Sequence, residues 1–456
     1  MTKARLDGLL LFLLGCIVFV LAGSAWERAS HASMADFKEY YYGARCLLQH
    51  SDPYQQAELF RVYQAERSDH ESTPDSFLQV VTLYINLPTA FVLTVPFAML
   101  PWSSAHVLWM IFTAASFILA AWLMWNFEAA KAPIISGGLI CLFLIGSEMA
   151  LEIGNAACIA ASLCVIAVSC FIRERLVPAG ILCFAISLAV KPHVAGMVLL
   201  YFLLANARYR KRALQTLAVT ALLCLPVVLW VSHIAPNWIA ELHANMETFS
   251  VHGGLGDPGP AGVDPRFHGA IQISLQTVFS IFRDRASFYN AATYAFCAPL
   301  FLVWAVATLR KRFSQESAWL GLATIAAISM LPIYHRLHDT RLLLLVFPAF
   351  AGVWSRGSRI KWLALLLTGA GIVMTDDVPL QILAIQSARL RGATTGLTSQ
   401  FLTLMLARPV PLILLAMGVF YLWVYVRHTS VVTASGTAEG SELALTGVEM
   451  SESASA

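Results

Sequence analysis

The densest group of chemically capable side chains lies between two apolar runs, in the stretch YHRLHDTR at residues 334–341. A histidine that pairs with an aspartate can be oriented as a proton acceptor, and an arginine can bind a phosphate through two parallel hydrogen bonds. A network of purely structural ion pairs is the alternative interpretation. The members of this group are Tyr334, His335, Arg336, His338, Asp339 and Arg341.

A second candidate is the lysine of AVKPHVAG, which lies between two apolar runs. A lysine at membrane depth is costly unless a partner stabilises its charge, so Lys191 predicts a functional contact. Its position suits a point charge that meets a phosphate at the level of the lipid headgroups. The alternative is a lysine that only extends its ammonium group to the interface. His193 either orients the phosphate or fills space.

A third candidate lies where the chain leaves its first apolar run. Residues 34–55 (MADFKEYYYGARCLLQHSDPYQ) collect carboxylates, tyrosines and an arginine. At helical spacing, Asp36 shares a face with Tyr40, and Tyr41 shares a face with Arg45. Tyrosines are also typical of the aromatic belt at a membrane interface, which is the structural alternative. The DPY near the end of the stretch is a turn or helix-start signal whatever its function.

Two further polar groups complete the set. In EMALEIGN, at residues 148–155, Asn155 has the position of an N-cap for the helix that follows, after Glu148 and Glu152. The glycine- and proline-rich segment HGGLGDPGPAGVDPRFHG, at 252–269, predicts a flexible loop that covers substrate. Its spacing of acidic and histidine residues supports no metal site. The polar members of this segment are His252, Asp257, Asp264, Arg266 and His268.

The elements that must position these side chains follow from the composition. The chain has 456 residues, of which 58% are hydrophobic and only 12% are charged. That charged share is roughly half of what a soluble domain carries. Repeated apolar runs of about 20 residues predict an all-α, polytopic membrane protein embedded in a lipid bilayer. The net charge of +3 is too small to indicate a nucleic-acid partner.

The cysteines predict neither a disulfide framework nor a metal site. Of the nine, only Cys46 lies in polar sequence; the others lie in apolar runs, where cysteine behaves as a small hydrophobic residue. No CxxC pair and no histidine–cysteine cluster has the spacing of a zinc site. We therefore expect no metal and no cofactor.

The placement of lysine and arginine predicts the topology, because cytoplasmic loops are rich in both. The first apolar run is long enough to span and predicts an uncleaved helix with a cytosolic N-terminus. The basic stretches fall on one side if 77–100 is a re-entrant or interfacial pair of short helices on the outer side. The run 178–205 must also be a hairpin of two short helices that turns at Lys191. The basic stretches are Lys131, 173–175, 208–212, 310–312, 356–361 and Arg427.

These conditions predict about 12 transmembrane helices with both termini in the cytoplasm. Residues 1–430 then form a single membrane domain, with a long first outer loop at 27–101 that contains juxtamembrane helices and a second outer loop at 234–287. Residues 431–456 predict a disordered cytoplasmic tail. Nearly every candidate side chain then falls on the outer face. The predicted spans are 8–26, 103–127, 133–150, 155–172, 178–190, 193–205, 213–233, 288–309, 317–334, 340–355, 360–376 and 409–427.

These motifs, in this order, resemble those of the membrane glycosyltransferases of family 87, over roughly residues 8–355. DFKEYYYGARCLLQHSDPY is similar to the family's D-F-x-x-Y-Y-x-A-x-x-L-L-x-G-x-D-P-Y. EIGNAACIAASLCVIA is similar to its G-Q/N-x-N helix start, PAGILCFAISLAVKP to its A-G-x-x-x-x-x-A-x-x-x-K-P stretch, and ISLQTVFSIF to a Q-S-L element. The chain departs from the family pattern at Asn155 and Ala157, where glutamine and asparagine are usual, and at YHRLHD, where His-x-x-Tyr is more familiar. These departures bear on the sugar and the acceptor.

The resemblance implies the GT-C architecture and kinship with α-mannosyltransferases that use polyprenyl-phosphate mannose. It implies a hexosyltransferase of the plasma membrane (EC 2.4 class), which moves mannose or another hexose from a polyprenyl-phosphate donor. The acceptor would be a hydroxyl of a glycolipid or glycan on the outer face.

The resemblance also implies roles for single residues. By motif match Asp36 is the general base, and Lys191, with Arg336 or Arg341, binds the phosphate of the donor. The implied mechanism inverts the sugar with a single base and no metal. His335 is the second catalytic candidate, and whether His335 or His338 assists Asp36 is left open. The substrate-binding candidates are Tyr41, Tyr42, Arg45, Asp52, Tyr54, Asn155, His193, His338 and Asp339.

Three other functions are compatible with a polytopic chain of this kind. A transporter or flippase of a lipid-linked or small polar substrate would place its binding groups near the midplane, often between inverted repeats. The sequence shows no repeat, and its ionisable residues cluster toward one face. A non-catalytic scaffold would tolerate replacement of Asp36, Lys191 and His335. An oligosaccharide polymerase or ligase would share the lipid-phosphate chemistry.

Overall fold

The computed structural model is almost entirely helical in the part of the chain that it describes. Apolar segments form helices because a helix closes its backbone hydrogen bonds within itself, as a bilayer requires. Within the described part of the chain, extended backbone pairs at one isolated β-bridge, between Gln272 and Arg336. The described residues are 2–31, 33–67, 74–128, 131–254, 256–259, 272–376, 379, 382, 396–402, 405–406 and 408–446.

The α-helices of the described residues are numbered in chain order. The first eleven are α1 (Lys3–Ala29), α2 (Ala35–Leu48), α3 (Gln56–Glu66), α4 (Asp75–Thr82), α5 (Phe91–Ala98), α6 (Trp102–Glu128), α7 (Pro133–Ile145), α8 (Met149–Glu152), α9 (Ala156–Arg173), α10 (Val177–Val190) and α11 (Pro192–Leu204). The later ones are α12 (Ala207–Ile234), α13 (Trp238–Phe249), α14 (Gln276–Phe282), α15 (Ala286–Arg310), α16 (Gln315–Ile328), α17 (Val346–Ser355), α18 (Ile360–Val373), α19 (Gly396–Leu402) and α20 (Pro409–Thr446). Short 3-10 helices occupy Pro88–Ala90 and Leu337–Leu345.

Among the described residues, eight helical stretches are long and apolar enough to cross a membrane. α12 turns leucines outward, with Leu222 73% and Leu225 60% exposed, and Leu302 of α15 is 65% exposed. Apolar faces of this size are what lipid contacts. The chain is therefore an all-α polytopic membrane protein, as predicted. The eight stretches are Lys3–Ala29, Trp102–Phe127, Pro133–Glu152, Ala156–Arg173, Ala207–Ile234, Ala286–Arg310, Leu337–Ser355 and Pro409–Arg427.

The other four predicted spans correspond to shorter helices, of which two were expected. α10 and α11 form the hairpin that turns at Lys191, and with 14 and 13 residues each is only about 20 Å long. That length is short of the roughly 30 Å of a bilayer's hydrocarbon core. α18 ends at Val373, three residues before the predicted end.

The predicted C-terminal end of the span 317–334 was wrong. α16 stops at Ile328, because Pro332 cannot continue a helix and biases the residue before it away from helical angles. The chain then runs through a turn into the 3-10 helix Leu337–Leu345, and regular α-helix resumes only at Val346. The cluster at 334–341 therefore lies partly in irregular backbone rather than in a plain loop between two spans.

Residues 77–100 form two short helices, as predicted. α4 covers Asp75–Thr82, and the turn Pro88–Ala90 leads into α5 at Phe91. The turn and α5 together are only about 16 Å long, which is too short to cross a bilayer. Its depth in the membrane stays a prediction.

The two ends of α6 mark two different ends of the helix bundle. At its start, Trp102 stacks on Phe37 of α2. At its end, Phe127 lies under the guanidinium of Arg173 and lines a small cavity with Lys131 and Arg356. We call the first the α2 end and the second the basic end. The 27 residues of α6 separate them by about 40 Å.

The last helix, α20, continues as far as Thr446. Its backbone is thus helical over part of the segment 431–456, for which the sequence predicts a disordered tail. Residues 447–456 lie outside the described part of the chain.

Candidate active site

A cavity of about 910 Å³ opens at the α2 end of the bundle. Its wall combines two carboxyl groups, the basic side chains of Lys191 and Arg336, three histidines and several amide side chains, together with apolar residues. Separate elements contribute these groups, so the sequence scatters them over three hundred residues. Six predicted site residues line it: Asp36, Asn155, Lys191, His193, Arg336 and His338.

The start of α2 is held in place by backbone contacts. The N–H groups of Asp36 and Phe37 donate to the carbonyl of Ile153, at 3.0 and 3.2 Å, and that of Met34 donates to Glu152 at 2.7 Å. The first N–H groups of a helix have no partner within the helix, so the turn after α8 caps α2. This contact fixes Asp36 against the start of α9.

The turn that caps α2 requires glycine at Gly154. Its φ of +67° lies in the left-handed region, and a Cβ there would meet the Met34 sulfur at 2.6 Å and Phe37 Cβ at 2.8 Å. Glycine alone adopts this backbone conformation without strain and leaves room for α2. The GN of EIGN is thus the local sequence that brings α2 and α9 together.

Asn155 has two contacts that fix its amide. Its Oδ1 accepts from the N–H of Ala157 at 2.8 Å, which confirms the predicted N-cap of α9. Its Nδ2 therefore faces α2 and donates to Asp36 Oδ2 at 2.6 Å. Asp36 is buried, with 8% of its surface exposed, and this hydrogen bond orients its carboxylate toward the cavity.

Lys191 occupies the break between α10 and α11. Its backbone angles, φ −142° and ψ 83°, end one helix and start the next, and Pro192 at the first position of α11 suits that start. The side chain is buried, and its ammonium lies 3.8 Å from Asp339 Oδ1. The lysine thus has the partner that its depth requires and still lines the cavity.

The stretch 334–336 is extended and carries Arg336 to the cavity wall. It pairs with the strand-like segment at Gln272, and the N–H of Ile273 donates to the carbonyl of His335 at 2.9 Å. The Arg336 guanidinium lies over the rings of Tyr334 and Phe249, at 5.6 and 5.4 Å. Such stacking holds a guanidinium plane in one orientation.

His335 and Asp339 lie behind the cavity wall rather than on it. His335 Nδ1 is 3.2 Å from Asp339 Oδ2, and its ring lies 5.0 Å from the ring of His193, which does line the cavity. Asp339 also accepts the N–H of Arg336 at 2.9 Å. Asp339 therefore ties Lys191, His335 and the Arg336 backbone together.

Arg341 is not brought to the cavity. Its Nη2 donates to the carbonyl of Gly146 at 3.2 Å, and its guanidinium lies 5.3 Å from the ring of Phe143. The 3-10 turn that begins at Leu337 rotates this side chain toward α7, away from Arg336. Of the two arginines predicted for the donor phosphate, the structure places Arg336 alone on the wall.

The five substrate-binding candidates of the first motif also lie off the cavity wall. The Tyr41 hydroxyl donates to the Leu100 carbonyl at 2.8 Å, and Tyr42 packs edge-on against Tyr63. Arg45 forms a two-pronged ion pair with Glu66 at 2.6 to 2.9 Å.

The other two candidates fix a turn. Asp52 accepts the N–H of Tyr54 at 2.8 Å, and the Tyr54 hydroxyl donates to the Asn86 carbonyl at 3.0 Å. The interactions of these five residues hold the first loop together.

Sequence reasoning missed several polar residues of the wall, among them Glu39 and Asn86. Glu39 lines the cavity one helical turn after Asp36, and Asn86 joins it from the turn before α5. The Tyr40 hydroxyl donates to Asn86 Oδ1 at 2.9 Å. Burial, together with the charges of Glu39 and Asp36, raises the pKa of Tyr40 well above its usual value. The spacing of Glu39, three residues after Asp36, was the signal that could have found it.

Among the residues that the structure describes, two groups of side chains have donor atoms close enough together to hold a cation. His193, His335 and Asp339 offer donor atoms within 4.8 Å of one another, as do His252, Asp257 and Asp284. In the first group Lys191 already supplies a positive charge to Asp339. In the second, Asp257 accepts the N–H groups of Gly253 and Gly259. The absence of a metal stays a prediction.

The predicted covering loop is described only in part. His252 and the glycines that follow it line the cavity, and His252 Nδ1 is 3.2 Å from Asp257 Oδ2. Asp264, Arg266 and His268 lie outside the described residues.

A comparison with protein families gives one match. The model described as Glycosyltransferase family 87 matches residues 84–334, more than half of the chain. The matched stretch includes Asn155, Lys191 and His193 and ends at Tyr334, so Asp36 lies before it. No curated protein and no solved structure matches the chain significantly.

Proposed function

The chain belongs to glycosyltransferase family 87 and is a membrane glycosyltransferase, and we propose that it transfers a hexose, with mannose as the leading case, from a polyprenyl-phosphate donor. The acceptor is a hydroxyl of a glycolipid or glycan, and the reaction inverts the anomeric carbon without a metal. The active site is the cavity at the α2 end, within a GT-C architecture. We place this end on the outer face of the plasma membrane, with both termini in the cytoplasm.

One observation carries the proposal: a single cavity is lined by the carboxyl group of Asp36 and by the cations Lys191 and Arg336. Asp36 comes from α2, whereas Lys191 and Arg336 come from the α10–α11 turn and the extended stretch before Leu337. A sugar phosphate bound between these groups would present its anomeric carbon between base and cations. Glycosyl transfer needs this arrangement, because a proton is removed on one side while charge develops on the other.

Asp36 is the general base of the proposed reaction. Because Oδ2 accepts the hydrogen bond from Asn155, Oδ1 is the oxygen that takes the proton of the acceptor hydroxyl. The deprotonating hydroxyl attacks the anomeric carbon from the face opposite the phosphate, and the bond from that carbon to the phosphate oxygen breaks. A positioned carboxylate of this kind contributes about 10²–10⁴-fold to the rate.

Lys191 and Arg336 stabilise the departing polyprenyl phosphate. Its charge grows as the glycosidic bond breaks, so fixed cations lower the barrier most when water is excluded. The start of α11 adds its helix dipole at the same place, since the helix begins at Pro192. His335 and Asp339 hold these groups from behind: Asp339 pairs with Lys191 and accepts the N–H of Arg336.

The rest of the cavity wall suits a lipid-tailed donor. Apolar residues from several elements line it, and two of them, Leu87 and Met246, are 43% and 50% exposed. The short helices α10 and α11 contribute Val190 and His193 to the wall and are too short to cross the bilayer. These features support lateral access from lipid. The apolar lining residues include Val80, Leu83, Leu87, Val190, Leu242, Met246 and Ile333.

The experiment uses the purified full chain in lipid nanodiscs with synthetic polyprenyl-phosphate mannose and octyl α-mannoside as acceptor probe. Loss of donor, release of polyprenyl phosphate and the configuration of the product are followed, with and without a chelator. We expect turnover with inversion, unaffected by the chelator, and loss of turnover in Asp36→Asn. Glu58→Gln, on the exposed face of α3, is the control and should behave as wild type.

Three results would contradict the proposal. Donor that crosses the bilayer of a proteoliposome without release of polyprenyl phosphate would favour a flippase. Turnover that a chelator abolishes would contradict the metal-free mechanism. Absence of turnover over a panel of polyprenyl-phosphate sugars would contradict the donor class.

A further inference from the structure

Glu39 is a second carboxyl group in the cavity, and the mechanism above does not use it. It follows Asp36 by three residues on α2, so the two side chains lie on one face of the helix. Both line the cavity and both are buried, with 6% of Glu39 and 8% of Asp36 exposed. A second carboxyl so close to the base needs a role that differs from that of the base.

The contacts of Glu39 assign different roles to its two oxygens. Oε1 accepts from the N–H of Ile85 at 3.1 Å and from Nδ2 of Asn86 at 2.7 Å. The amide of Asn86 is fixed in this orientation because its Oδ1 accepts from the Tyr40 hydroxyl. With two donors at Oε1, Oε2 is the oxygen that can carry a proton toward the cavity.

The charges around Glu39 favour its neutral form. Burial, followed by the charge of Asp36, raises its pKa to about 8, although Lys191 acts in the opposite direction. The phenols of Tyr40, Tyr54 and Tyr84 also face it, and burial raises their pKa values as well, so they add no charge near neutral pH. A neutral carboxylic acid has one O–H to donate, which a carboxylate lacks.

We propose that Glu39 is a sugar-binding residue, whose Oε2–H donates a hydrogen bond to a ring hydroxyl of the sugar that lies beside Asp36. This inference rests on the proposed function, because it deepens the description of the same site. The two carboxyls then have complementary roles: Asp36 accepts the proton of the attacking hydroxyl, and Glu39 donates a hydrogen bond to a hydroxyl that does not react. The sugar is that of the donor or that of the acceptor.

Kinetics at several pH values test the proposal in nanodiscs. Glu39→Gln retains a donor in its Nε2–H, so we expect turnover within about threefold of wild type below pH 7. Wild type should lose affinity for its sugar above about pH 8, whereas Glu39→Gln should not. Glu39→Ala should raise one KM by about tenfold, which corresponds to one hydrogen bond.

The KM that changes identifies the sugar. A higher KM for polyprenyl-phosphate mannose assigns the hydroxyl to the donor, and a higher KM for octyl α-mannoside assigns it to the acceptor. Glu58→Gln is the matched control, since Glu58 is an exposed glutamate that pairs with Arg61.

A second readout does not depend on turnover. In the difference spectrum between wild type and Glu39→Gln, the infrared carbonyl band of a protonated carboxylic acid should be present near pH 6.5, and it should persist in Asp36→Asn. It should shift when polyprenyl-phosphate mannose or octyl α-mannoside is added. If wild type turns over no lipid-linked sugar, the proposed function fails, and this band still decides whether Glu39 is protonated and meets a sugar.

Several outcomes would overturn the proposal. Glu39→Gln as inactive as Asp36→Asn would show that the carboxylate form is the one required. Unchanged KM values in Glu39→Ala would remove the contact with sugar. The absence of the infrared band, or a band that neither sugar shifts, would exclude the protonated donor.

Discussion

The two faces of α2 meet different surroundings. One face turns Asp36 and Glu39 to the cavity, whereas the other packs Tyr41 and Arg45 into the first loop. On the packed face the protein itself supplies partners, the Leu100 carbonyl and the Glu66 carboxylate. On the cavity face, part of each carboxyl adjoins open volume. Polar groups that the protein saturates stabilise the fold, and polar groups beside a cavity can meet substrate.

The largest expected effect is that of Asp36→Asn. The amide keeps the size of the side chain but cannot take a proton, so turnover should fall by about 10²–10⁴-fold. The unfolding temperature should stay close to that of wild type. The measurement is release of polyprenyl phosphate beside thermal unfolding in the same nanodiscs. Retained turnover would mean that another group on the wall is the base.

The cations of the cavity are tested by Lys191→Met. Loss of the ammonium should lower turnover by about 10²–10³-fold, as for other fixed groups that stabilise developing charge. It also leaves the buried carboxylate of Asp339 without its cation, which typically costs 3–5 kcal/mol.

The double variant Lys191→Met, Asp339→Asn separates these two effects. Its stability should recover, because residue 339 no longer carries a buried charge without a partner, while its turnover stays low. Recovery of turnover along with stability would show that Lys191 acts only through folding.

A smaller effect is expected where α9 meets the cavity face of α2. Asn155→Asp keeps an oxygen that can cap α9, so the helix should remain stable. It replaces the donor to Asp36 with a second carboxylate, and turnover at neutral pH should fall about tenfold. Asn155→Ala should also lose about 1 kcal/mol of stability, because the cap is gone. Equal turnover in wild type and Asn155→Asp would exclude an orienting role for this amide.

Variants on the packed face of α2 should lose stability but keep their turnover. Arg45→Met removes the ion pair with Glu66, whose side chains are 30% and 19% exposed. We expect the free energy of unfolding to fall by about 1 kcal/mol and turnover to stay within about twofold. Chemical denaturation and the transfer assay measure the two quantities. A loss of turnover without a loss of stability would return Arg45 to the substrate-binding residues.

The last prediction concerns stability as a function of pH rather than turnover. Because burial and Asp36 raise the pKa of folded Glu39 from 4.5 to about 8, the folded state holds this proton more tightly than the unfolded state. The contribution to stability is complete below pH 4.5 and is lost as pH rises to about 8. Unfolding temperatures across this range should therefore fall more in wild type than in Glu39→Gln. If the unfolding temperature changes equally with pH in wild type and in Glu39→Gln, Glu39 is already ionised in the folded protein.

The contrast between the faces explains what sequence could predict. Helical spacing showed that Asp36 shares a face with Tyr40 and that Tyr41 shares one with Arg45, and both statements hold. Spacing could not show which of these faces meets a cavity, because that depends on contacts with residues fifty to three hundred positions away. The motif suggested five substrate-binding residues near Asp36. In the structure their side chains contact other parts of the protein and not the cavity.

The helices themselves were easier to predict than the shape of the site. Long apolar runs and the break at Lys191 are local signals, and the structure has helices at these positions. The turn at Pro332 was a local signal too, but its consequence was not local. It directs Arg336 to the cavity and rotates Arg341 toward Gly146, so two arginines five residues apart have different surroundings.

A structure with a non-hydrolysable donor tests the central claim most directly. The probe is a polyprenyl phosphonate analogue of the mannose donor, and the measurement is an electron cryo-microscopy map of the full chain in nanodiscs. The phosphonate is expected within hydrogen-bond distance of Lys191 and Arg336, with the sugar between them and Asp36. A phosphonate bound instead at the basic end, in the cavity of Lys131 and Arg356, would contradict the placement of the active site.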